Sequence, residues 1–185
     1  MSKASTDPIE NLVGLITDDG WEIIEKKTRA KKDSGGTFSV CYVVRNEEGE
    51  KAFLKAVDFR GVDNAADPIN ELQILTQAYN FEREVVRLTT ERNMNRIVVA
   101  LADGFIVMKG VPLDRIFYLI FELAEKDVRQ QVRSTNSFDL SWSIQIMHHI
   151  SVGLSQLHSR QIFHQDIKPS NVLVFNDAEL AKLAD

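Results

Sequence analysis

This sequence predicts an α+β chain, with a five-stranded antiparallel sheet and one main helix first and a truncated, mostly helical part after it. Three observations lead there. Short apolar, β-branched runs alternate with polar turns between Trp21 and Val57, and two more such runs follow before residue 124. One long stretch, Ile69 to Leu88, carries apolar residues at helical spacing between the third run and the fourth. Beyond Leu123 the spacing turns helical again, as far as His158.

The elements follow in order. Residues 1–8 are small and polar, the composition of a loose terminus. Ile9, Leu12, Val13 and Ile16 recur at helical spacing and predict a short amphipathic helix. Trp21 to Glu25 reads as a strand, and Lys26 to Lys32 as its basic, solvated edge. Ser34-Gly35-Gly36-Thr37 is a turn into the strand Phe38 to Val44, and Asn46 to Glu50 is a polar hairpin turn into Lys51 to Val57. A polar loop, Arg60 to Pro68, precedes the helical stretch with Leu72, Leu75, Tyr79, Val85, Val86 and Leu88, for which a break near Asn80 is expected. Ile97 to Leu101 and Ile116 to Leu123 are the last strands, separated by a turn-rich stretch holding Gly104, Gly110 and Pro112. Asp127 to Val132 suggests a short helix. Ser141 is the expected N-cap of a long one through His158, with Trp142, Ile146, Ile150, Leu154 and Leu157 on one stripe. Val172 to Phe175 and Ala181 to Ala184 read as a hairpin.

Bulk properties narrow the function classes. Hydrophobic content of 44% and charged content of 26% are ordinary for a globular protein, and 185 residues suit one compact domain or two small lobes. A net charge of −5 gives no general attraction to nucleic acid or anionic membranes. The first residues lack the apolar core of a signal peptide, and no apolar run approaches the ~20 residues of a membrane span. Cys41 is the only cysteine, which excludes an internal disulfide and suits a reducing, cytoplasmic setting.

The chemistry concentrates in His164-Gln165-Asp166-Ile167-Lys168-Pro169-Ser170-Asn171, on a loop between a predicted helix and the strand Val172 to Phe175. It places a carboxylate, an ammonium and an amide within six residues. Phosphoryl transfer needs such a set: an Asp to orient the attacking hydroxyl, a Lys to neutralise the moving phosphoryl group, an Asn to hold a metal ion.

With that loop in place, the chain from about Trp21 to Asp185 resembles the eukaryotic-type (Hanks-type) serine/threonine protein kinases, whose elements occur here in the family's order. The resemblance implies a domain plan of an N-terminal extension over 1–20, an N-lobe over 21–123 and a partial C-lobe over 124–185. It implies ATP and Mg2+ as cofactors and a protein Ser/Thr hydroxyl as acceptor, with neither nucleic acid nor membrane as partner. Asp166 matches the catalytic Asp and Asn171 the metal-binding Asn, and Lys168 has the serine/threonine-type position. His164 matches a structural histidine of the loop. Gln165 departs from the usual Arg, whose guanidinium pairs with a phosphorylated activation loop.

The same resemblance makes Lys55 the lysine of the α- and β-phosphates, with Phe53 where an Ala is usual. Glu84, four residues before Leu88, is the expected partner of Lys55, with Glu71 and Glu82 as rivals. Ser34-Gly35-Gly36-Thr37-Phe38-Ser39-Val40-Cys41 stands for the glycine loop, with only Gly36 at a consensus glycine and Gly35 beside it. Phe121 is the residue gating the back pocket, and the backbone of Glu122 and Leu123 meets adenine. Asp127 reads as a ribose contact or as a helix-terminal acid. Asp185 looks like the Asp of Asp-Phe-Gly, a second magnesium ligand.

The wider expectation is that Lys55, Asp166, Asn171 and Asp185 meet in one cleft. Because the sequence stops at Asp185, the helices that usually cover the long helix are missing. Trp142 and its neighbours are then expected to be partly exposed, and the chain alone to be weakly active or inactive. The alternative function is a nucleotide-binding pseudokinase or regulatory docking fragment. A small-molecule kinase of the same fold is disfavoured by the wording Lys168-Pro169-Ser170-Asn171.

Overall fold

The computed structural model describes residues 7–27, 39–59, 62–135 and 139–184. The chain divides into two compact units, one running to Arg87 and resuming at Ala100–Leu123, the other comprising Leu88–Val99 and everything from Ala124 onward. The architecture is the α+β one predicted, with one five-stranded antiparallel sheet and one main helix in the first unit.

That sheet contains β1 (Glu22–Lys27), β2 (Ser39–Arg45), β3 (Lys51–Val57), β4 (Ala100–Val107) and β5 (Arg115–Glu122), in the order β1-β2-β3-β5-β4. Every neighbouring pair is antiparallel. Side chains alternate between faces along a strand, and β3 shows it cleanly. Ala52, Leu54 and Ala56 are fully buried on one face, while Phe53, Lys55 and Val57 are partly exposed on the other.

The first of these faces is closed by the N-terminal segment. Ile9, Leu12, Trp21 and Ile23 form one apolar cluster with Val40, Tyr42, Leu54, Tyr118 and Ile120. The segment is not the predicted amphipathic helix. A single 3-10 turn, Pro8–Glu10, is followed by irregular chain, turned at Val13–Gly14 and Asp18–Asp19, whose backbone pairs with the start of β1: Gly14 N–H donates to Ile23 O at 2.8 Å and Ile23 N–H to Leu15 O at 2.8 Å. Ile9 and Leu12 are buried while Val13 and Ile16 are exposed, so the apolar spacing serves a strap lying on a sheet.

The other face takes α1 (Pro68–Glu91), one unbroken helix of 24 residues. The expected break at Asn80 does not occur, because flanking contacts hold the helix there. Tyr79 packs on Phe117 with ring centroids 5.3 Å apart, and Arg83 pairs with Asp103 at 2.5 Å. Asp67 accepts the Asn70 N–H at 3.1 Å, and Pro68 begins the helix, where a missing N–H costs nothing.

The fourth strand lies further along than predicted, and Gly104 is inside it instead of in a turn. Tyr118 lies directly across from Gly104, and a Cβ there would stand 2.6 Å from the Tyr118 hydroxyl. That glycine marks close approach, not a chain reversal.

The second unit is built on a small sheet, β6-β7-β8, from β6 (Lys126–Asp127), β7 (Val172–Phe175) and β8 (Leu180–Leu183). Two helices accompany it, α2 (Val128–Ser134) and α3 (Leu140–His158). Asp127 caps α2 through a capping box with Gln130, so its visible role is the helix-terminal one. Asp139, not Ser141, is the N-cap of α3, its carboxylate accepting the Trp142 N–H at 3.0 Å.

Of the α3 stripe expected to be partly exposed, Trp142, Ile150 and Leu154 are half-buried, as expected, and the rest is packed. Ile146 and Leu157 are buried, and Trp142, Ile150 and Leu154 lean on the core formed with Val172, Val174, Ala181 and Leu183. Trp142 Nε1 also donates to Ala178 O at 2.9 Å. The exposed apolar positions lie on another line of the helix, at Leu140, Ile144 and Met147. Gly153 lets α3 approach β8: a Cβ there would meet Leu183 Cδ1 at 2.9 Å.

Candidate active site

The residues Asp166 to Asn171 are held from both ends. Asn171 lies in a 3-10 turn, Pro169–Asn171, directly before β7. Its carbonyl accepts the Ala184 N–H at 2.9 Å, which ties the loop to the end of β8. At the other end the chain reverses tightly. Asp166 N–H donates to His164 O at 2.8 Å across Gln165, whose φ is 63°. A three-residue turn with positive φ at its centre is strained for a non-glycine residue, and such strain collects where a side chain must be presented in one direction.

Within this frame the three polar side chains converge. Lys168 Nζ donates to Asp166 Oδ2 at 2.5 Å, and Asn171 Nδ2 donates to the same oxygen at 3.1 Å and to Asp166 O at 3.0 Å. The bond from Lys168, with help from its charge and from Asn171, holds the Asp166 carboxyl below the usual carboxylate range. The group is therefore ionised throughout neutral pH, suited to orient a hydroxyl and to receive its proton late.

Asn171 is 5% exposed and uses its Nδ2 on Asp166, while its Oδ1 accepts only a long bond from Ser170 Oγ at 3.4 Å and keeps a second lone pair for a cation. That fits Mg2+, which takes few protein oxygens and completes its shell with phosphate and water. Among the described residues no cluster of three or more His, Cys, Asp or Glu forms a dedicated cation cage. Asp185 lies outside the described residues. Both ring nitrogens of His164 are buried without a hydrogen-bond partner among the described residues.

In the first unit, Lys55 sits mid-way along β3, opposite Cys41 on β2 and Leu119 on β5. Its Nζ lies 2.7 Å from Glu82 Oε1, in a pair whose side chains are 19% and 30% exposed. Here the sequence reading needs correction. Glu84 does not face Lys55; it makes a two-pronged bond to Arg87, with oxygens 2.7 and 3.1 Å from the guanidinium. That bond lowers the Glu84 carboxyl.

Helix phase explains the choice. At 3.6 residues per turn, Glu82 lies about 20° from the buried Leu75, whereas Glu84 lies about 180° away. The stripe Leu75, Tyr79, Glu82, Val86 was visible in the sequence and would have selected Glu82. Tyr79, one turn before Glu82, has its phenol pushed up to about 12 by burial and by Asp103, so it remains a donor.

Phe121 lies opposite Phe53, Glu122 ends β5 opposite Ala52, and Leu123 follows. Gly35 and Gly36, with the rest of the predicted glycine loop up to Phe38, lie outside the described residues.

The protein kinase domain family matches residues 32–185. The chain belongs to that family. Similar curated proteins include Mitogen-activated protein kinase homolog 1 of Petunia hybrida, 28% identical over 166 residues, which are 89% of this chain and 39% of that protein. Mitogen-activated protein kinase 14 of Arabidopsis thaliana is 30% identical over the same share of this chain and 42% of its own length. Cell division control protein 2 homolog 2 of Trypanosoma brucei brucei is 38% identical over a shorter stretch, 36% of this chain and 20% of that protein. The chain thus spans about two fifths of the length of the mitogen-activated relatives it matches. Within that match, Lys55 and Glu82 sit on β3 and α1, and Asp166, Lys168 and Asn171 sit on the loop before β7. No helix among the described residues is long and apolar enough to cross a membrane.

Proposed function

We propose that this chain carries the ATP-binding portion and the catalytic loop of a serine/threonine protein kinase. Asp166 would orient the acceptor hydroxyl and take its proton. Lys168, already bonded to Asp166, would neutralise charge on the moving γ-phosphoryl group. Lys55, positioned by Glu82, would hold the α- and β-phosphates. The Glu122–Leu123 backbone would meet the base next to Phe121, and Gly35 and Gly36 would cover the phosphates. Mg2+ would be held by Asn171 Oδ1 and Asp185 and would supply charge neutralisation between phosphate oxygens.

The observation that carries this reading is the convergence of Lys168 and Asn171 on one oxygen of Asp166. A serine/threonine acceptor, not tyrosine, is favoured by the position of Lys168 two residues after the Asp. A cytoplasmic setting fits a chain whose one cysteine is buried and reduced.

The test is nucleotide binding by calorimetry with and without Mg2+, followed by γ-phosphoryl transfer to Ser, Thr and Tyr peptides by the full-length protein. The expected result is Mg2+-dependent ATP binding that loses its metal dependence in Asn171→Ala, with transfer to Ser or Thr only. Binding indifferent to both Mg2+ and Asn171 would overturn the reading.

A further inference from the structure

α1 grips the sheet through charged side chains on consecutive residues. Glu82 reaches Lys55 on β3 at 2.7 Å, and Arg83 reaches Asp103 on β4 at 2.5 Å. Lys55 and Asp103 stand in one cross-strand row, each opposite Leu119 of β5. Neighbouring strands lie about 4.8 Å apart, which sets the two anchors about 10 Å apart with β5 between them. Tyr79, one turn earlier on the helix, rests on Phe117 of β5 with ring centroids 5.3 Å apart. The helix therefore straddles β5, holding the strand on one side by an acid and the strand on the other by a base.

The polarity is crossed. The sheet offers a cation on β3 and an anion on β4, and the helix answers with an anion and then a cation. Consecutive residues point about 100° apart around a helix. Rolling α1 about its axis in either direction takes both side chains off their partners together. A roll of one residue position sets Arg83 against Lys55, two like charges.

The two pairs differ in setting. Arg83 and Asp103 are more exposed than Lys55 and Glu82, and β4 is the edge strand, two strands from Lys55. The outer pair is thus too far away to touch anything that Lys55 binds. The same helix carries a control for it. Arg87 pairs with Glu84 at 2.7 Å and is as exposed as Arg83, but both partners belong to α1, so this pair is indifferent to how the helix is rolled.

We propose that Arg83 and Asp103 are positioning residues for the Lys55 site: their ion pair fixes the rotation of α1 and keeps Glu82 aimed at Lys55. This rests on the nucleotide-binding reading above and deepens it. An ammonium has three donors, and phosphates that draw on them loosen its hold on Glu82. A second anchor, out of reach of the phosphates, keeps the helix in phase while the ligand is bound.

The experiment measures ATP dissociation constants by calorimetry, with Mg2+, on the full-length protein. The set is wild type, Arg83→Gln, Asp103→Asn, the charge swap Arg83→Glu with Asp103→Arg, and the control Arg87→Gln. Each is also made on a Glu82→Gln background, melting curves accompany every variant, and Lys55→Met reports whether binding uses this site. Arg83→Gln and Asp103→Asn should each weaken ATP about threefold to fivefold, the upper range of what an exposed ion pair supplies, and Arg87→Gln should change it less than about twofold. The swap should return binding to within about twofold of wild type, as restored pairing of the same strength requires. On Glu82→Gln the Arg83 and Asp103 changes should have no further effect, because residues that act through a third are not additive with its loss. A pair that only props up the fold would keep its effect on that background and lower the melting temperature in step.

If Arg83→Gln behaves like Arg87→Gln, if its effect is undiminished on Glu82→Gln, or if a folded swap binds as poorly as the single variants, while binding still needs Lys55, the nucleotide reading stands and the positioning role is wrong. Should ATP bind equally well to Lys55→Met, or not bind the wild type, the nucleotide reading itself has failed and the positioning role falls with it.

Discussion

The Lys55–Glu82 pair and the Asp166–Lys168–Asn171 cluster reach similar hydrogen-bond geometry over very different lengths of chain. The loop cluster is assembled within five positions by one tight turn and one 3-10 turn, so its order in sequence nearly dictates its order in space. The pair joins residues 27 apart on two elements, and depends on the register of β3 and on the rotation of α1 about its axis. An error of two positions leaves the local cluster recognisable. Along a helix the same error turns a carboxylate to the opposite face, which is the difference between Glu82 and Glu84.

The largest expected effect is at the loop. Asp166→Asn in the full-length protein should lower phosphoryl transfer by about 10²–10⁴-fold, the usual contribution of a general acid–base group. The melting temperature should stay where it was, because Asp166 is exposed. A fall in stability comparable to the fall in rate would show that the loop is not the self-contained unit it looks like.

The support of the distant pair comes next. Leu12 is fully buried in the strap that closes the far face of the sheet bearing Lys55, and Val13 beside it is 53% exposed. Leu12→Ala should cost about 2–5 kcal/mol in urea unfolding, the cost of a core cavity, and Val13→Ala less than about 0.5 kcal/mol. Equal costs would mean that the strap adds nothing to the sheet.

A smaller contrast isolates the pair itself. Glu82→Gln should weaken ATP binding about 10–100-fold through loss of a charged hydrogen bond, whereas an exposed ion pair such as that of Glu84 should matter less than about twofold. Reversal of the two would restore the assignment made from the Glu-x-x-x-Leu pattern.

The smallest effect concerns the hairpin behind the loop. His149 is 8% exposed on α3, and its Nδ1 accepts the Ala181 N–H at 3.2 Å, so the folded state needs the neutral ring. Burial, Arg96 and His148 all lower its pKa. The unfolded chain, with an ordinary histidine pKa near 6.5, then binds the proton more readily than the folded one. The stabilising contribution is complete above that value and is lost as pH falls below it. His149→Gln should flatten the melting temperature between pH 7 and 5, and an unchanged slope would remove the imidazole from this role.

What the sequence disclosed follows the same division. The β3 bounds, the Asp166–Asn171 loop and the α3 C-terminus were legible because each rests on nearest-neighbour spacing or a short motif. The phase of Glu82, the irregular strap from Ile9 into β1 and the inclusion of Gly104 in β4 were not. Each is decided by a partner far along the chain: β3 for Glu82, the sheet face for Leu12, Tyr118 for Gly104. The stripe on α3 was legible as a line of apolar residues left partly exposed; the full burial of Ile146 and Leu157 within it depends on the β7–β8 hairpin, which comes later in the chain.

The strap carries one practical lesson. The family match covers residues 32–185, yet Ile9, Leu12, Trp21 and Ile23 supply the apolar lining over the sheet that presents Lys55. Trimming the polypeptide to the conserved kinase borders would strip that lining and wet the underside of Ala52, Leu54 and Ala56. For this protein, where the family match starts and where the cooperative unit starts are separate boundaries, and an expression plasmid designed from the former would encode a damaged sheet.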